Sequence, residues 1–189
     1  MIEYRMHGRG GQGSVAAAYL LAATAFEAGW QCQAFPSFGA ERRGAPVTAF
    51  VRVDQTQIHL RSQIRTPDVL IVQDDTLLQD ERITAGLKSG GAMLVNTARD
   101  GGEIGAHFGC RCVNIDATEL AITHLRRPIP NTGLLAALVT LEGRFALTAL
   151  EKAVSGRFNG TILEQNLALI ADAAAAVSAG AWAEEMSDA

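Results

Sequence analysis

The feature that most constrains this chain is a glycine run, G-R-G-G-Q-G, at residues 8–13. It follows a strand-like stretch, Ile2–His7, and precedes a stretch rich in alanine and leucine that predicts a helix. The spacing G-x-G-x-x-G between a strand and a helix is typical of a dinucleotide-binding turn. Glycine allows a sharp turn and a close approach of phosphate oxygens, and the N-terminus of a helix attracts anions. The run predicts a phosphate site formed by Gly8, Gly10, Gly11, Gln12 and Gly13. A tight turn without a ligand is the alternative, in which the Gln12 amide caps the loop instead of contacting a phosphate.

The second predicted strand does not fit an ordinary NAD site. In such a site an Asp or Glu about 20 residues after the glycine run binds the ribose hydroxyls. The segment Gln31–Phe35 is where that strand is expected, and it carries no acidic residue before Pro36. A free-standing Rossmann oxidoreductase that binds NAD or FAD through the glycine run therefore stays only an alternative function.

A second polar segment, residues 36–46, has the sequence P-S-F-G-A-E-R-R-G-A-P. Its adjacent arginines, Arg42 and Arg43, suit phosphate or carboxylate because a guanidinium donates paired hydrogen bonds. Charge-paired contact with a neighbouring subunit fits them equally well, and we favour a shared role at a site that an interface lines. Ser37 and Phe38 follow the second predicted strand, and open α/β sheets bind ligands beside the carboxyl ends of their strands. Because we expect the first and second strands to be neighbours, we predict that this segment and the glycine run converge on one anion site.

Together, G-R-G-G-Q-G, P-S-F-G-A-E-R-R-G-A-P and the following strand V-T-A-F-V-R-V resemble the gamma subunits of 2-oxoacid:ferredoxin oxidoreductases, and most closely the pyruvate type. The resemblance extends over nearly the whole chain and implies a single gamma-type domain over residues 1–189. It implies a non-catalytic subunit that contributes to assembly and to coenzyme A binding. The reaction implied for the whole enzyme is the oxidative decarboxylation of pyruvate or a similar 2-oxoacid to an acyl-CoA, with electrons passed to ferredoxin or another acceptor.

The resemblance also implies which groups lie on other chains. Thiamine diphosphate and [4Fe-4S] clusters are expected on partner subunits, thiamine-binding and ferredoxin-like, so that this chain works in a hetero-oligomer and binds no cofactor alone. The residues agree with that expectation. The sequence has no Gly-Asp-Gly…Asn motif for thiamine diphosphate, and its three cysteines are fewer than the four that a cluster needs. We therefore expect no activity from the isolated chain.

Composition narrows the remaining function classes. Hydrophobic residues make up 48% of the chain and charged residues 19%, which is a globular composition. The formal net charge of -4 does not suit a nucleic-acid surface, and the apolar stretches are too short or too interrupted to cross a membrane. Reduced cysteines without a recognisable signal peptide predict a cytoplasmic protein. No Ser-His-Asp or Cys-His set and no metal-ligand spacing is evident, so we predict no catalytic residue and no metal site.

Alternating strand-like and helix-like segments predict an α/β fold. We expect a Rossmann-like, mostly parallel sheet with flanking helices and a helical C-terminal third. The predicted strands are Ile2–His7, Gln31–Phe35, Pro46–Asp54, Asp68–Gln73, Ala92–Asn96 and Cys110–Ile115, with a hairpin strand at Ile58–Leu60. The predicted helices are Gln12–Ala28, Thr76–Ala85, one that begins near Asp116, Asn131–Glu142, Thr148–Val154 and Thr161–Val177. Residues 97–109, which are rich in glycine, are predicted to be a loop.

Two adjacent acids, Asp74 and Asp75, follow a buried strand. Paired carboxylates at the end of a strand can bind a cation or a ribose. The expectation that we favour is that they are solvated loop acids or a cap on the following helix, because acids are mostly exposed and Asp is a preferred N-cap residue.

Overall fold

A mixed six-stranded sheet forms the centre of the molecule, which we describe from a computed structural model over residues 1–37 and 44–183. The strand order is β2-β3-β1-β4-β5-β6. β3 runs antiparallel to both of its neighbours, whereas β1, β4, β5 and β6 are mutually parallel. The strands are β1 (Ile2–Arg9), β2 (Gln31–Ser37), β3 (Pro46–Asp54), β4 (Val69–Val72), β5 (Ala92–Asn96) and β6 (Arg111–Ile115).

Helices cover both faces of the sheet. They are α1 (Ser14–Glu27), α2 (Gly101–Phe108), α3 (Ala117–Leu125), α4 (Asn131–Glu142), α5 (Leu147–Ser155) and α6 (Gly160–Ala175). Two short 3-10 turns, Asp75–Gln79 and Glu81–Thr84, follow β4. No helix in the described part of the chain is both long and apolar enough to span a membrane.

The main core lies between one face of the sheet and α1, α4, α5 and α6. Helix α4 is at its centre and is buried along its whole length except at Thr140, as expected for a helix that is apolar on every side. Tyr4 and Met6 of β1 point into this core. A second, smaller cluster packs α2 and the 3-10 turns against Leu70, Val72 and Met93 on the opposite face.

The predicted fold class is confirmed, but the strand order differs from the prediction. β3 lies between β1 and β2, so the first and second strands are not neighbours. The pattern of β3 predicts a strand but does not specify its partner, and β3 pairs with β1 over eight residues, from Ile2–Val53 to Arg9–Pro46. The carboxyl ends of β1 and β2 still share one edge of the sheet, two strand spacings or about 10 Å apart.

Three local predictions are wrong. The predicted helix Thr76–Ala85 is two 3-10 turns, because Asp80 takes an extended conformation and its side chain accepts a hydrogen bond from the Arg82 amide. The predicted loop 97–109 contains α2, which is capped at its start by Asp100 and ends at a left-handed Gly109. Residues 58–60 form no strand.

Candidate functional site

The glycine run forms a tight connection between β1 and α1. Gly11 and Gly13 have φ angles of 96° and 80°, in the left-handed region that favours glycine. The Gly10 amide donates to the Ala45 carbonyl over 2.8 Å, and the Gly44 amide donates to the Gly10 carbonyl over 3.2 Å. The run is therefore joined to the start of β3 by backbone hydrogen bonds.

Gly8 has a packing role that differs from the roles of the other glycines. A Cβ atom at this position would overlap Ser14 Oγ and would lie 2.8 Å from Gln73 Oε1. A side chain there would displace the Ser14 hydroxyl and the Gln73 amide from their hydrogen bond, because the first turn of α1 and the end of β4 meet at that point. The packing thus favours glycine at position 8, whether or not a ligand is bound.

Gln12 serves as an internal brace of the loop. Its Oε1 accepts from the Arg9 amide over 2.7 Å, and its Nε2 donates to Asp74 Oδ2 over 2.6 Å. The sequence left two roles open for the Gln12 amide, a cap on the loop or a contact with a phosphate, and in the structure this amide caps the loop. The contact with Asp74 joins positions 62 residues apart in the sequence.

Asp74 is the centre of a half-buried polar cluster at the carboxyl ends of β1 and β4. It accepts from the Thr76 amide, as the predicted cap, and pairs with Arg9, whose Nε lies 3.3 Å from Asp74 Oδ2. The Arg9 guanidinium also donates to Thr76 Oγ1 and to the Gly44 carbonyl. Partial burial raises the pKa of Asp74, but hydrogen bonds from Thr76 and Gln12 and the Arg9 charge outweigh it, so this pKa is lowered.

A second network lies beneath the loop, and its residues were not predicted from the sequence. Ser14 Oγ donates to Gln73 Oε1 over 2.6 Å, and Gln73 Nε2 donates to Asn131 Oδ1 over 2.9 Å. Asn131 Nδ2 completes the chain by donating to the Gly13 carbonyl over 3.1 Å. All three side chains belong to buried residues. The available signal was Gln73, a polar residue at the end of an otherwise apolar strand.

Beside the loop is an open cleft of about 740 Å³, which we call the loop cleft. It is bordered by Gly10 and Gly11, the first turns of α1, and the side chains of Arg9, Tyr19 and Arg157. Helix α1 begins at Ser14 without a side chain capping its first turn. Unpaired amides at the positive end of a helix are donors suited to an anion, and the Arg157 guanidinium beside them adds positive charge.

Ser37 lies at the carboxyl end of β2 and away from the loop cleft. Its cross-strand neighbour is Thr48, whose other neighbour is His7. Because side chains alternate along a strand and Met6 points into the α1 core, His7, Thr48 and Ser37 face the opposite side of the sheet. Gln63 Nε2 donates to Ser37 Oγ over 3.0 Å. The structure therefore does not bring Ser37 together with the glycine run.

The other predicted residues of this segment, Phe38, Arg42 and Arg43, lie outside the described residues. Of the predicted site, the structure groups Gly10, Gly11 and Gly13 around the loop cleft, with Gly8 and Gln12 below and beside them.

His7 and the cysteines are not arranged for catalysis. Burial, and then the Arg5 charge, lower the pKa of His7 to about 4, and its Nε2 accepts from Arg5 Nε over 3.0 Å. Cys110 and Cys112 pack against the second core cluster, and burial raises the pKa of Cys112 to about 12. Within residues 1–37 and 44–183, no three His, Cys, Asp or Glu side chains are grouped to hold a metal ion.

Comparisons with known proteins give consistent results. The family model described as pyruvate ferredoxin/flavodoxin oxidoreductase matches residues 3–176. The chain is 47% identical over 166 residues to pyruvate synthase subunit PorC of Methanocaldococcus jannaschii. That match covers 88% of this chain and 91% of the M. jannaschii protein. The chain is 45% identical over 169 residues to the pyruvate/ketoisovalerate oxidoreductases common subunit gamma of Thermococcus kodakarensis, again over 88% and 91%.

Solved structures agree in fold. The crystal structure of pyruvate oxidoreductase subunit PORC from Thermotoga maritima has a TM-score of 0.82 and 37% identity, over 92% of this chain and 95% of that one. The 2-oxoglutarate:ferredoxin oxidoreductase from Magnetococcus marinus has a TM-score of 0.77 at 21% identity, over 95% of this chain and 32% of that one. The second likeness shows the fold alone.

Proposed function

The chain belongs to the pyruvate ferredoxin/flavodoxin oxidoreductase family, and we propose that it is the non-catalytic gamma subunit of a complex that oxidises pyruvate or a similar 2-oxoacid. The similarity to subunits called PorC and common subunit gamma supports this role, because it extends over about nine tenths of both chains. As a gamma-type subunit, the chain acts with thiamine-binding and ferredoxin-like partners in the cytoplasm. We propose that residues 1–189 form one domain in that assembly.

The residues of this chain do not suit the redox groups of the complex. The three cysteines are free thiols at positions 32, 110 and 112, and burial raises the pKa of each thiol, whereas cluster ligands are thiolates. We therefore assign the clusters and their electron transfer to the partner subunits, and the resemblance to gamma subunits assigns decarboxylation to them as well.

We assign coenzyme A binding to the region around the glycine run. The observation that carries the assignment is the uncapped N-terminal turn of α1, which opens on the loop cleft between Arg9 and Arg157. A phosphate group there would accept hydrogen bonds from the free amides and, in this proposal, from the guanidinium groups of Arg42 and Arg43. The proposed site includes Gly8, Gly10, Gly11, Gln12 and Gly13 and, from the second segment, Phe38, Arg42 and Arg43. Ser37 is left out of it, because its side chain faces the other side of the sheet.

The test is to measure the Michaelis constants for coenzyme A and for the 2-oxoacid separately in the assembled enzyme. Arg42→Ala and Arg43→Ala are compared with Arg61→Ala, an exposed arginine in another loop. Each charge-assisted hydrogen bond is worth about 1.5–3 kcal/mol, so loss of a contacting arginine should raise the constant for coenzyme A by roughly tenfold or more. The constant for the 2-oxoacid should stay within about twofold of its original value. If the variants assemble normally and the coenzyme A constant does not move, the two arginines do not bind coenzyme A.

The subunit role itself is tested by purification of the chain from its natural source. We expect co-purification with brown, cluster-containing subunits, and neither thiamine diphosphate binding nor pyruvate oxidation by the chain alone. Turnover by the isolated chain would contradict the non-catalytic role. A chain that purifies alone with a retained NAD or FAD would support the free-standing alternative, which the comparisons do not favour.

A further inference from the structure

A second cavity, which we call the helix pocket, opens on the outer side of the helical layer. Its volume is about 440 Å³, and its apolar wall comes from three helices and two loops. That wall consists of Ala16, Leu20, Leu125, Ile129, Phe158 and Ile162. The pocket belongs to neither the glycine run nor the predicted segment 36–46, and the proposed function does not use it.

The floor of the helix pocket is preformed. Thr132 and Asn166 are buried at its base, and Thr132 Oγ1 donates to Asn166 Oδ1 over 2.9 Å. Asn166 Nδ2 donates to the Ile162 carbonyl over 2.8 Å, which holds the first turn of α6 at the pocket mouth. Because these polar groups are paired with each other, the pocket keeps its shape without an occupant.

The mouth of the pocket is positively charged. Arg127 and Arg157 both line it, and no Asp or Glu among the described residues does, although the whole chain has a formal net charge of -4. Neither guanidinium forms a salt bridge or a side-chain hydrogen bond within residues 1–37 and 44–183. By contrast, Arg5, Arg9 and Arg52 are all bonded to internal acceptors. The two arginines at the mouth are therefore available to external carboxylates.

Large apolar side chains also surround the mouth and remain exposed. Ile162 is 56% exposed and Ile129 is 43% exposed, and both line the pocket. A small ligand inside the cavity would leave the outer surfaces of these isoleucines in water. A protein surface would cover them, and the cores of protein interfaces combine such apolar residues with arginine around an anchoring pocket.

We propose that the helix pocket is the docking site for a segment of a partner subunit. From the chemistry of the pocket, this segment carries one large apolar side chain flanked by Asp or Glu. The apolar side chain fills the cavity, and the flanking carboxylates pair with Arg127 and Arg157. The inference rests on the proposed function, since it requires that the chain is a subunit of a larger complex.

The test is a competition for incorporation into the complete complex. Wild-type and variant chains carrying different tags are co-expressed with all partner subunits, and the ratio of tags in the purified complex is measured. Arg127→Glu and Ile162→Asp are the test variants, and Arg61→Glu and Leu60→Asp are matched controls on exposed positions of another loop. We choose Arg127 because Arg157 also borders the loop cleft.

We expect each test variant to be under-represented by at least tenfold and each control to be incorporated like wild type. The deficit of Arg127→Glu should diminish when the complex is assembled at high salt, since salt screens exposed charges. Circular dichroism of each purified variant identifies any that fails to fold. For such a variant the second readout is a photo-crosslinking amino acid at position 129 or 162 of the otherwise wild-type chain.

In the crosslinking experiment we expect adducts with a partner peptide that contains Asp or Glu beside a large apolar residue. Two results would overturn the docking proposal in an experiment where the complex itself forms. One is incorporation of the folded test variants at the wild-type level, and the other is the absence of crosslinks to any partner subunit. A rise in the coenzyme A constant with normal incorporation would show a small-molecule site instead. Failure of the wild-type chain to join any complex would contradict the proposed function and not merely this surface.

Discussion

Replacement of Glu142 by glutamine should stabilise the chain at alkaline pH. Glu142 ends α4 and is only 3% exposed. Its Oε2 accepts from Tyr4 Oη over 3.0 Å, and its Oε1 has no hydrogen-bond partner among the described residues. Burial raises the pKa of Glu142 from 4.5 to about 7, against the opposing effects of the Arg144 charge and the Tyr4 hydrogen bond.

The sign of the pH dependence follows from proton binding. Between pH 4.5 and about 7 the folded chain holds this proton while the unfolded chain has lost it, so the free energy of unfolding falls as pH rises through that window. The displacement of the pKa from 4.5 to about 7 corresponds to roughly 3 kcal/mol, at about 1.4 kcal/mol per pH unit. Glutamine has the shape of the protonated acid and stays neutral at every pH. In Glu142→Gln the free energy of unfolding should therefore no longer fall between pH 4.5 and about 7.

The measurement is urea unfolding of the purified chain at pH 4.5, 6 and 8, followed by tryptophan fluorescence. Both tryptophans report on this region, because Trp182 hydrogen-bonds to Leu141 and Arg144 lies over the Trp30 ring at 5.9 Å. We expect Glu142→Gln to exceed wild type by up to about 3 kcal/mol at pH 8 and to match it near pH 4.5. The control is Glu164→Gln, exposed on α6. An unchanged pH slope in Glu142→Gln would refute the argument, as would a lower stability than wild type at pH 8.

Two further predictions concern the glycine run and the network beneath it. Gly8→Ala should destabilise the chain by about 1–3 kcal/mol, because the new methyl group clashes with Ser14 Oγ. Adding Ser14→Ala removes that oxygen and should recover part of the lost stability. Gly11→Ala is the control: its destabilisation comes from the backbone φ of 96° and should not change when Ser14→Ala is added. A double-mutant cycle in urea measures this coupling, and strictly additive effects at positions 8 and 14 would contradict it. Asn131→Ala should cost about 1–3 kcal/mol, because it leaves buried polar groups of Gln73 and Gly13 unpaired. Thermal unfolding checks this effect, and a variant as stable as wild type would show that the network contributes little.

Much of the fold could be predicted from local patterns. The bounds of β3, β5 and α4 agree with the structure, because strict alternation, a short apolar run and a long apolar segment after Pro130 each have a clear signature. Helix α2 was missed although Asp100 and Glu103 have the spacing of a capping box. The reason is its glycines, which lower helix propensity but let α2 lie against β6, where a Cβ at Gly105 would be 2.7 Å from the Cys110 carbonyl.

The sequence by itself determined the alternation of strands and helices, the turn at the glycine run and the membership of the family. These properties depend on residues close together in the chain, or on motifs that are recognisable without coordinates. Only the tertiary structure decided that β3 separates β1 from β2, that Gln12 binds Asp74, and that Ser37 faces away from the loop cleft. Each of these depends on which distant segments pair, and the free energy of that choice is distributed over the whole core and not over any local pattern. The burial of Glu142 beneath Tyr4, 138 residues away, is decided in the same way.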